Sequence, residues 1–137
     1  MVERANILGV GVSAINMPMA VDAIESWIAS REPHYVCVTG VHGVMESYRD
    51  RGLRAIHNAA GLVTPDGMPL VWVSRLMGFG HVRRVYGPDL MLELCARSVA
   101  RGYRFYLYGS TEATLAALTR RPWRVWAMPW LTCWFRS

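Results

Sequence analysis

The chain has 137 residues, 53% of them hydrophobic and 18% charged, which suits one folded domain around one core and excludes wholesale disorder. The formal net charge of +5 is uneven: residues 1–119 hold 11 Arg against 10 Asp and Glu, whereas residues 120–137 hold 4 Arg and no acid. A nucleic-acid-binding face is therefore not expected on the body of the chain. No apolar run reaches the roughly 18 residues that a bilayer crossing needs, and three cysteines (Cys37, Cys95, Cys133) without a CxxC pair fit a reducing cytoplasm better than disulfides or zinc.

The run Asn6-Ile7-Leu8-Gly9-Val10-Gly11-Val12 is β-branched and punctuated by glycine, predicting one or two strands. Asn16 is a good N-cap, and Met17, Ala20, Val21, Ile24, Trp27 and Ile28 follow the spacing of one buried helix face, with Pro33 as its expected end. Tyr35 to Thr39 lacks polar alternation, as in a strand covered on both faces. Val44 to Asn58 reads as helix weakened by Gly52, hence two short helices, and Leu62-Val63-Thr64 as a brief strand ending in Pro65-Asp66-Gly67. Met68 to Leu76 is a short helix. The clearest helix opens at Gly87-Pro88-Asp89, lines one face with Met91, Leu94, Cys95, Ser98 and Val99, and stops at Gly102. Tyr103 to Tyr108 is a predicted strand, and Gly109-Ser110-Thr111 turns into a helix running towards Leu118. Strands alternating with helices over short connections predict an α/β fold: a Rossmann-like, mostly parallel sheet with helices on both faces.

Gly9-Val10-Gly11-Val12-Ser13-Ala14 fits G-x-G-x-x-[GA] formally, but no helix opens inside it. Glycines of a twisted hairpin explain it better than a dinucleotide site. Thr64-Pro65-Asp66-Gly67 sets a carboxylate at the C-terminal edge of a strand, where open α/β folds bind ligands and where Asp66 could act as general base. Thr39 ends the preceding strand at the same edge. Arg83-Arg84 lies just before a helix N-terminus, a pairing that favours an anion such as a diphosphate. Gly109-Ser110-Thr111 is a second strand–turn–helix junction able to hold a phosphate. For each of these the plain alternatives are a turn, a cap or a solvated pair of arginines. His34, His42, His57 and His81 have no metal-ligand spacing, and Ser13, Ser47 and Ser74 lie in no nucleophile elbow.

Asn6 to Val10, Tyr35 to Thr39, Asn58 to Leu70 with its Pro-Asp-Gly-Met-Pro core, Arg84-Val85-Tyr86-Gly87-Pro88-Asp89-Leu90, and Tyr103 to Gly109 occur in an order that resembles the WecG/TagA/CpsF glycosyltransferases. The resemblance covers nearly all of residues 5–119, and the Pro-Asp-Gly-Met-Pro and Arg-Val-x-Gly-x-Asp-Leu segments are specific as a pair. It implies inverting, metal-independent transfer of a sugar, often N-acetylmannosamine, from a UDP donor to a lipid-diphosphate-linked sugar at the inner face of the cytoplasmic membrane. It assigns Asp66 as general base, Thr39 to the pocket at the end of its strand and Arg84 to the same pocket; Asp66 and Thr39 are thus the candidate catalytic residues, and Arg84, with Gly109 and Ser110 of the phosphate-holding junction, the candidate substrate-binding ones. Two positions after Thr39, where some members carry asparagine, this chain has Val41.

Residues 120–137 break the pattern: Pro122 and Pro129 interrupt them, Trp123, Trp126, Trp130 and Trp134 follow no period, and the stretch resembles a shifted reading frame. Residues 1–119 are thus expected to be the N-terminal part of a glycosyltransferase domain, and 120–137 an atypical tail with exposed Trp. Family members continue with further βα units, so a chain ending this way is expected to be a poor catalyst. The alternatives are a non-catalytic domain that binds a lipid-linked sugar or a protein partner, and an anionic-surface binder driven by the tail. No cofactor, metal or nucleic acid is expected, and self-association is left open.

Overall fold

The computed structural model describes residues 2–106, 108–109 and 111–120. Ser110, the atypical tail beyond Arg120 and its four Trp lie outside the described residues. The chain divides into two compact units, Met1–Met91 and Leu92–Ser137.

The first unit opens with strands β1 (Arg4–Ile7) and β2 (Val10–Ser13), paired antiparallel from Arg4↔Ser13 to Ile7↔Val10. The loop is Leu8-Gly9, both at positive φ (53° and 87°), the two-residue turn whose twist matches the strands. The Asn6 Oδ1 accepts the Gly9 N–H at 2.9 Å. Asn58 fastens the hairpin from outside: its Oδ1 accepts the Gly11 N–H at 2.8 Å and its Nδ2 donates to the Gly9 carbonyl at 2.9 Å. The glycines that mimic a dinucleotide fingerprint are therefore hairpin glycines, as expected.

Helix α1 (Met17–Ser30) is capped by Asn16, whose Oδ1 accepts the Met19 N–H at 3.2 Å. It buries Ala20 and Val21, while Ile28 at the end of the predicted face is exposed. The helix stops before Pro33. Arg31 adopts a left-handed C-cap (φ 58°) whose N–H reaches the Trp27 carbonyl, so backbone capping ends the helix.

Strand β3 (Val36–Thr39) leads through Gly40 into α2 (Val41–Arg49). A single residue, Asp50, then closes α2 and opens α3 (Arg51–Ala59), its Oδ1 accepting from the Gly52 and Leu53 amides at 2.7 and 3.2 Å. The predicted pair of helices is present, but capping by Asp50 rather than weakness at Gly52 sets the break. Strand β4 (Leu62–Pro65), buried throughout, pairs parallel with β3 from Val36↔Leu62 to Thr39↔Pro65 and continues through Asp66-Gly67 into α4 (Met68–Leu76). The hairpin joins β4 through a side chain, with the Val63 N–H donating to Ser13 Oγ at 2.9 Å. Ala5, Ile7, Val10, Val12, Val44, Ala60, Val63 and Leu70 form the core between these elements.

The α/β class holds, with two corrections of detail. Among the described residues the sheets are one parallel pair and one antiparallel hairpin, not a mostly parallel array. The expectation that β3 is covered on both faces also fails at Val38, whose face leaves it 48% exposed.

After α4, residues 82–86 form a strap that is neither helix nor strand, with Val82 and Val85 fully buried. The Arg83 N–H donates to the Ile15 carbonyl at 3.2 Å and the Val85 N–H to the Pro65 carbonyl at 3.0 Å. Helix α5 (Gly87–Arg101) follows, with Leu90, Cys95 and Ser98 buried and Val99, on the predicted face, exposed. Gly102 ends it at φ 68°, as predicted. In the second unit, α6 (Glu112–Arg120) is preceded by Thr111, whose Oγ1 accepts the Thr114 N–H at 3.3 Å. The predicted strand from Tyr103 to Tyr108 is absent among the described residues. Tyr106 and Tyr108 are 73% and 92% exposed, so these two aromatics supply little of the burial that stabilises a strand. No helix of the described residues is long and apolar enough to cross a membrane.

Candidate active site

The parallel register of β3 and β4 brings Thr39 and Pro65 side by side, so Thr39 and Asp66 meet at the C-terminal edge of the pair. The Asp66 N–H donates to the Thr39 carbonyl at 3.0 Å, extending the ladder by one bond. Each strand then turns directly into a helix. Gly40 and Gly67 are the N-caps of α2 and α4, and neither helix has a side-chain cap or an acid in its first turn. The two turns nearly touch: a Cβ at Gly67 would lie 3.9 Å from the Gly40 Cα. Two helix N-termini without side-chain caps thus converge beside Asp66, creating a local positive potential.

Arg84 reaches this edge from the strap. The strap is tethered on both sides of Arg84, by the Arg83 N–H on the Ile15 carbonyl and the Val85 N–H on the Pro65 carbonyl, and this sets Arg84 over Asp66. Arg84 Nε donates to the Asp66 carbonyl at 2.8 Å and Nη2 to Asp66 Oδ1 at 3.3 Å. Its guanidinium carbon lies 4.5 Å from the centre of the Tyr86 ring, a cation–π contact. Arg83 points away and donates to the Gly80 and Val82 carbonyls. The side chains of Arg84 and Asp66 are 47% and 21% exposed, so both can meet a ligand from solvent.

Thr39 stands at the expected edge, but its side chain is turned inward and 1% exposed. Its hydroxyl lies 3.0 Å from His57 Nε2, and His57 Nδ1 lies 3.1 Å from both Ser47 Oγ and the Leu53 carbonyl. Ser47 and His57 are buried residues that sequence reasoning set aside, since neither carries a motif. Their one available signal is a histidine and a serine on the inward faces of two consecutive short helices. Gly109 belongs to the second unit, where it takes a positive φ of 104°; Ser110 lies outside the described residues.

A separate surface cavity of about 870 Å³, lined by Arg4, Trp27, His34, Asn58 and Gly61 among others, lies at the opposite, N-terminal edge of β4. Among the described residues no group of three or more His, Cys, Asp or Glu side chains is placed to hold a metal ion.

This arrangement of a carboxylate, an arginine and two helix N-termini at one sheet edge suits proton abstraction beside an anionic leaving group. No curated protein matches the chain significantly. The family model described as "Glycosyl transferase WecG/TagA/CpsF family" matches residues 5–126, spanning β1 to α6 and with them Thr39, Asp66 and Arg84. The chain belongs to the WecG/TagA/CpsF family of glycosyltransferases, enzymes of polysaccharide synthesis.

Proposed function

We propose that the chain transfers a sugar, of the N-acetylmannosamine type, from a UDP donor to a lipid-diphosphate-linked sugar, with inversion and with Asp66 as the general base. The observation that carries this reading is the Asp66–Arg84 pairing at the edge where α2 and α4 begin. In the reaction the acceptor hydroxyl gives its proton to the Asp66 carboxylate while its oxygen bonds to the anomeric carbon. The bond from that carbon to the diphosphate breaks from the opposite side, and UDP leaves with the electron pair. Arg84 and the amides at Gly40 and Gly67 are well disposed to receive negative charge growing on a diphosphate. The Nη2–Oδ1 contact of 3.3 Å is long for a charge-assisted bond, so a phosphate oxygen can compete for that N–H while the shorter Nε bond to the Asp66 carbonyl keeps the arginine in place.

On this reading Thr39 contributes to the site through its backbone and its packing, and Gly109 and Ser110 contribute to the donor side. The reaction needs no metal or cofactor, and the protein works in the cytoplasm at the inner membrane face, where its acceptor lies. The test is UDP release with a lipid-linked sugar acceptor. Asp66→Asn, nearly isosteric but unable to take the proton, should retain UDP binding and lose about 10²–10⁴-fold in turnover. Turnover near wild type in that variant would remove Asp66 from the chemistry. UDP binding by the wild-type chain with no release under any acceptor would favour a non-catalytic binding domain.

A further inference from the structure

Ser47, His57 and Thr39 are 0%, 8% and 1% exposed and form one buried hydrogen-bonded chain leading to the candidate site. The chemistry of the partners favours one polarity. The Leu53 carbonyl can only accept, and at 3.1 Å from His57 Nδ1 it favours the proton on that nitrogen, with the Ser47 hydroxyl, which can also accept, at the same distance. In that tautomer Nε2 accepts, and the Thr39 hydroxyl donates to it across 3.0 Å. The other acceptor in reach, the Cys37 carbonyl, is more distant at 3.4 Å. Gly43 leaves room for this contact, since a Cβ there would stand 3.2 Å from Thr39 Cγ2 and 3.8 Å from His57 Nε2.

The carbonyl of the same residue accepts the Asp66 N–H at 3.0 Å, and the Asp66 carbonyl in turn takes Arg84 Nε at 2.8 Å. A connected path thus runs from the interior of α3 to both groups assigned to the reaction. We propose that His57 is a positioning residue for transfer: it orients Thr39, and through the Thr39 carbonyl it fixes the main chain of Asp66 against Arg84. The inference rests on the reading of Asp66 as base. It assigns to His57 no contact with substrate.

The experiment has one arm that needs no turnover and one that does. In the unmodified protein, nitrogen-15 spectra of the imidazole should show a proton on Nδ1 and a bare Nε2; the reverse tautomer overturns the proposal. His57→Leu should raise the exchange rate of the Asp66 amide about tenfold or more, whereas His57→Gln, whose side-chain oxygen can accept from Thr39, should leave it near wild type. In the UDP-release assay His57→Leu should lower kcat by about 10–100-fold, a displacement effect, with KM for the sugar nucleotide within about threefold. Adding Thr39→Val to His57→Leu should lower kcat little further, because both break the same link. If Asp66→Asn abolishes turnover while His57→Leu keeps wild-type kcat and wild-type amide exchange, the proposal fails and the reading of Asp66 stands. If Asp66→Asn turns over normally, the base assignment fails, and unchanged Asp66 exchange in His57→Leu then overturns the positioning claim separately.

Discussion

Gly61→Ala sets two effects of opposite sign against each other at the end of β4 remote from Asp66. Gly61 has no left-handed backbone, so alanine adds no torsional strain and narrows the unfolded ensemble, a gain of about 0.4–1 kcal/mol. Against this, the added Cβ would lie 2.7 and 3.0 Å from Trp27 Cη2 and Cζ2 and 3.2 Å from His34 Cβ. The indole cannot swing aside freely. Its ring packs on His34 at a 32° tilt with centroids 4.3 Å apart, and the Gly61 N–H is tied to the Tyr35 carbonyl at 3.0 Å, so strand and ring must both shift. Overpacking of this kind costs about 1–3 kcal/mol, leaving a net loss near 1–2 kcal/mol. Urea unfolding should show the midpoint falling with the slope unchanged. Pairing the change with Trp27→Leu, which vacates the contact, should recover part of the loss relative to the sum of the single variants. Per folded molecule, UDP release should stay within about twofold of wild type, because the register puts Gly61 and Asp66 at opposite ends of one short strand. Gly61→Ala as stable as wild type would refute the clash argument.

Leu8→Asn should raise stability by about 1 kcal/mol, since Leu8 is 52% exposed and holds φ 53° in a two-residue turn where Asn-Gly is favoured; a lower thermal midpoint would contradict this. Ser74→Ala should also stabilise, by about 1 kcal/mol, because the Ser74 hydroxyl is buried without a hydrogen-bond partner among the described residues and alanine is the better helix former. Burial pushes the Cys95 thiol up to about 11, so at pH 8 only about one in a thousand is thiolate, and alkylation of the native protein should reach Cys37 before Cys95. The same shift makes the native state hold a proton that the unfolded chain releases near 9.0, so stability should fall as pH rises from 9.0 towards 11, as read by denaturant titration across that range.

Elements defined by local chemistry were legible from the residues alone. Asn16 announces α1, Gly102 closes α5, and Pro65-Asp66-Gly67 marks the passage from β4 to α4 at the residues where the structure has it. What depends on tertiary partners was not. Two adjacent arginines look equivalent in sequence, and only the folded strap, with the Val85 N–H on the Pro65 carbonyl next to Asp66, sets Arg84 rather than Arg83 against that carboxylate. Tyr103 to Tyr108 has the composition of a strand, yet strand formation depends on a neighbouring edge, which propensity does not report. His57 carries no motif because its partners, Ser47 and Thr39, lie 10 and 18 residues away along the chain and meet it only once α2 and α3 fold onto β3.

The placement of charge explains why the site can be probed without unfolding the protein. The Asp66–Arg84 pair sits in partial contact with solvent, where such pairs contribute about 0–1 kcal/mol to folding. The bonds that hold the edge together are main-chain ones, Asp66 to Thr39 and Val85 to Pro65, and they survive replacement of either charged side chain. Asp66→Asn and Arg84→Ala are therefore expected to remain folded, and a loss of transfer in them reports on the chemistry directly. Thr39 is the opposite case. Its hydroxyl is buried, and removing it strands the Nε2 lone pair of His57 in the core, an unsatisfied group that costs about 1–3 kcal/mol. A Thr39 variant thus changes stability and turnover together, and its kinetics are interpretable only beside those of His57, which shares the same bond.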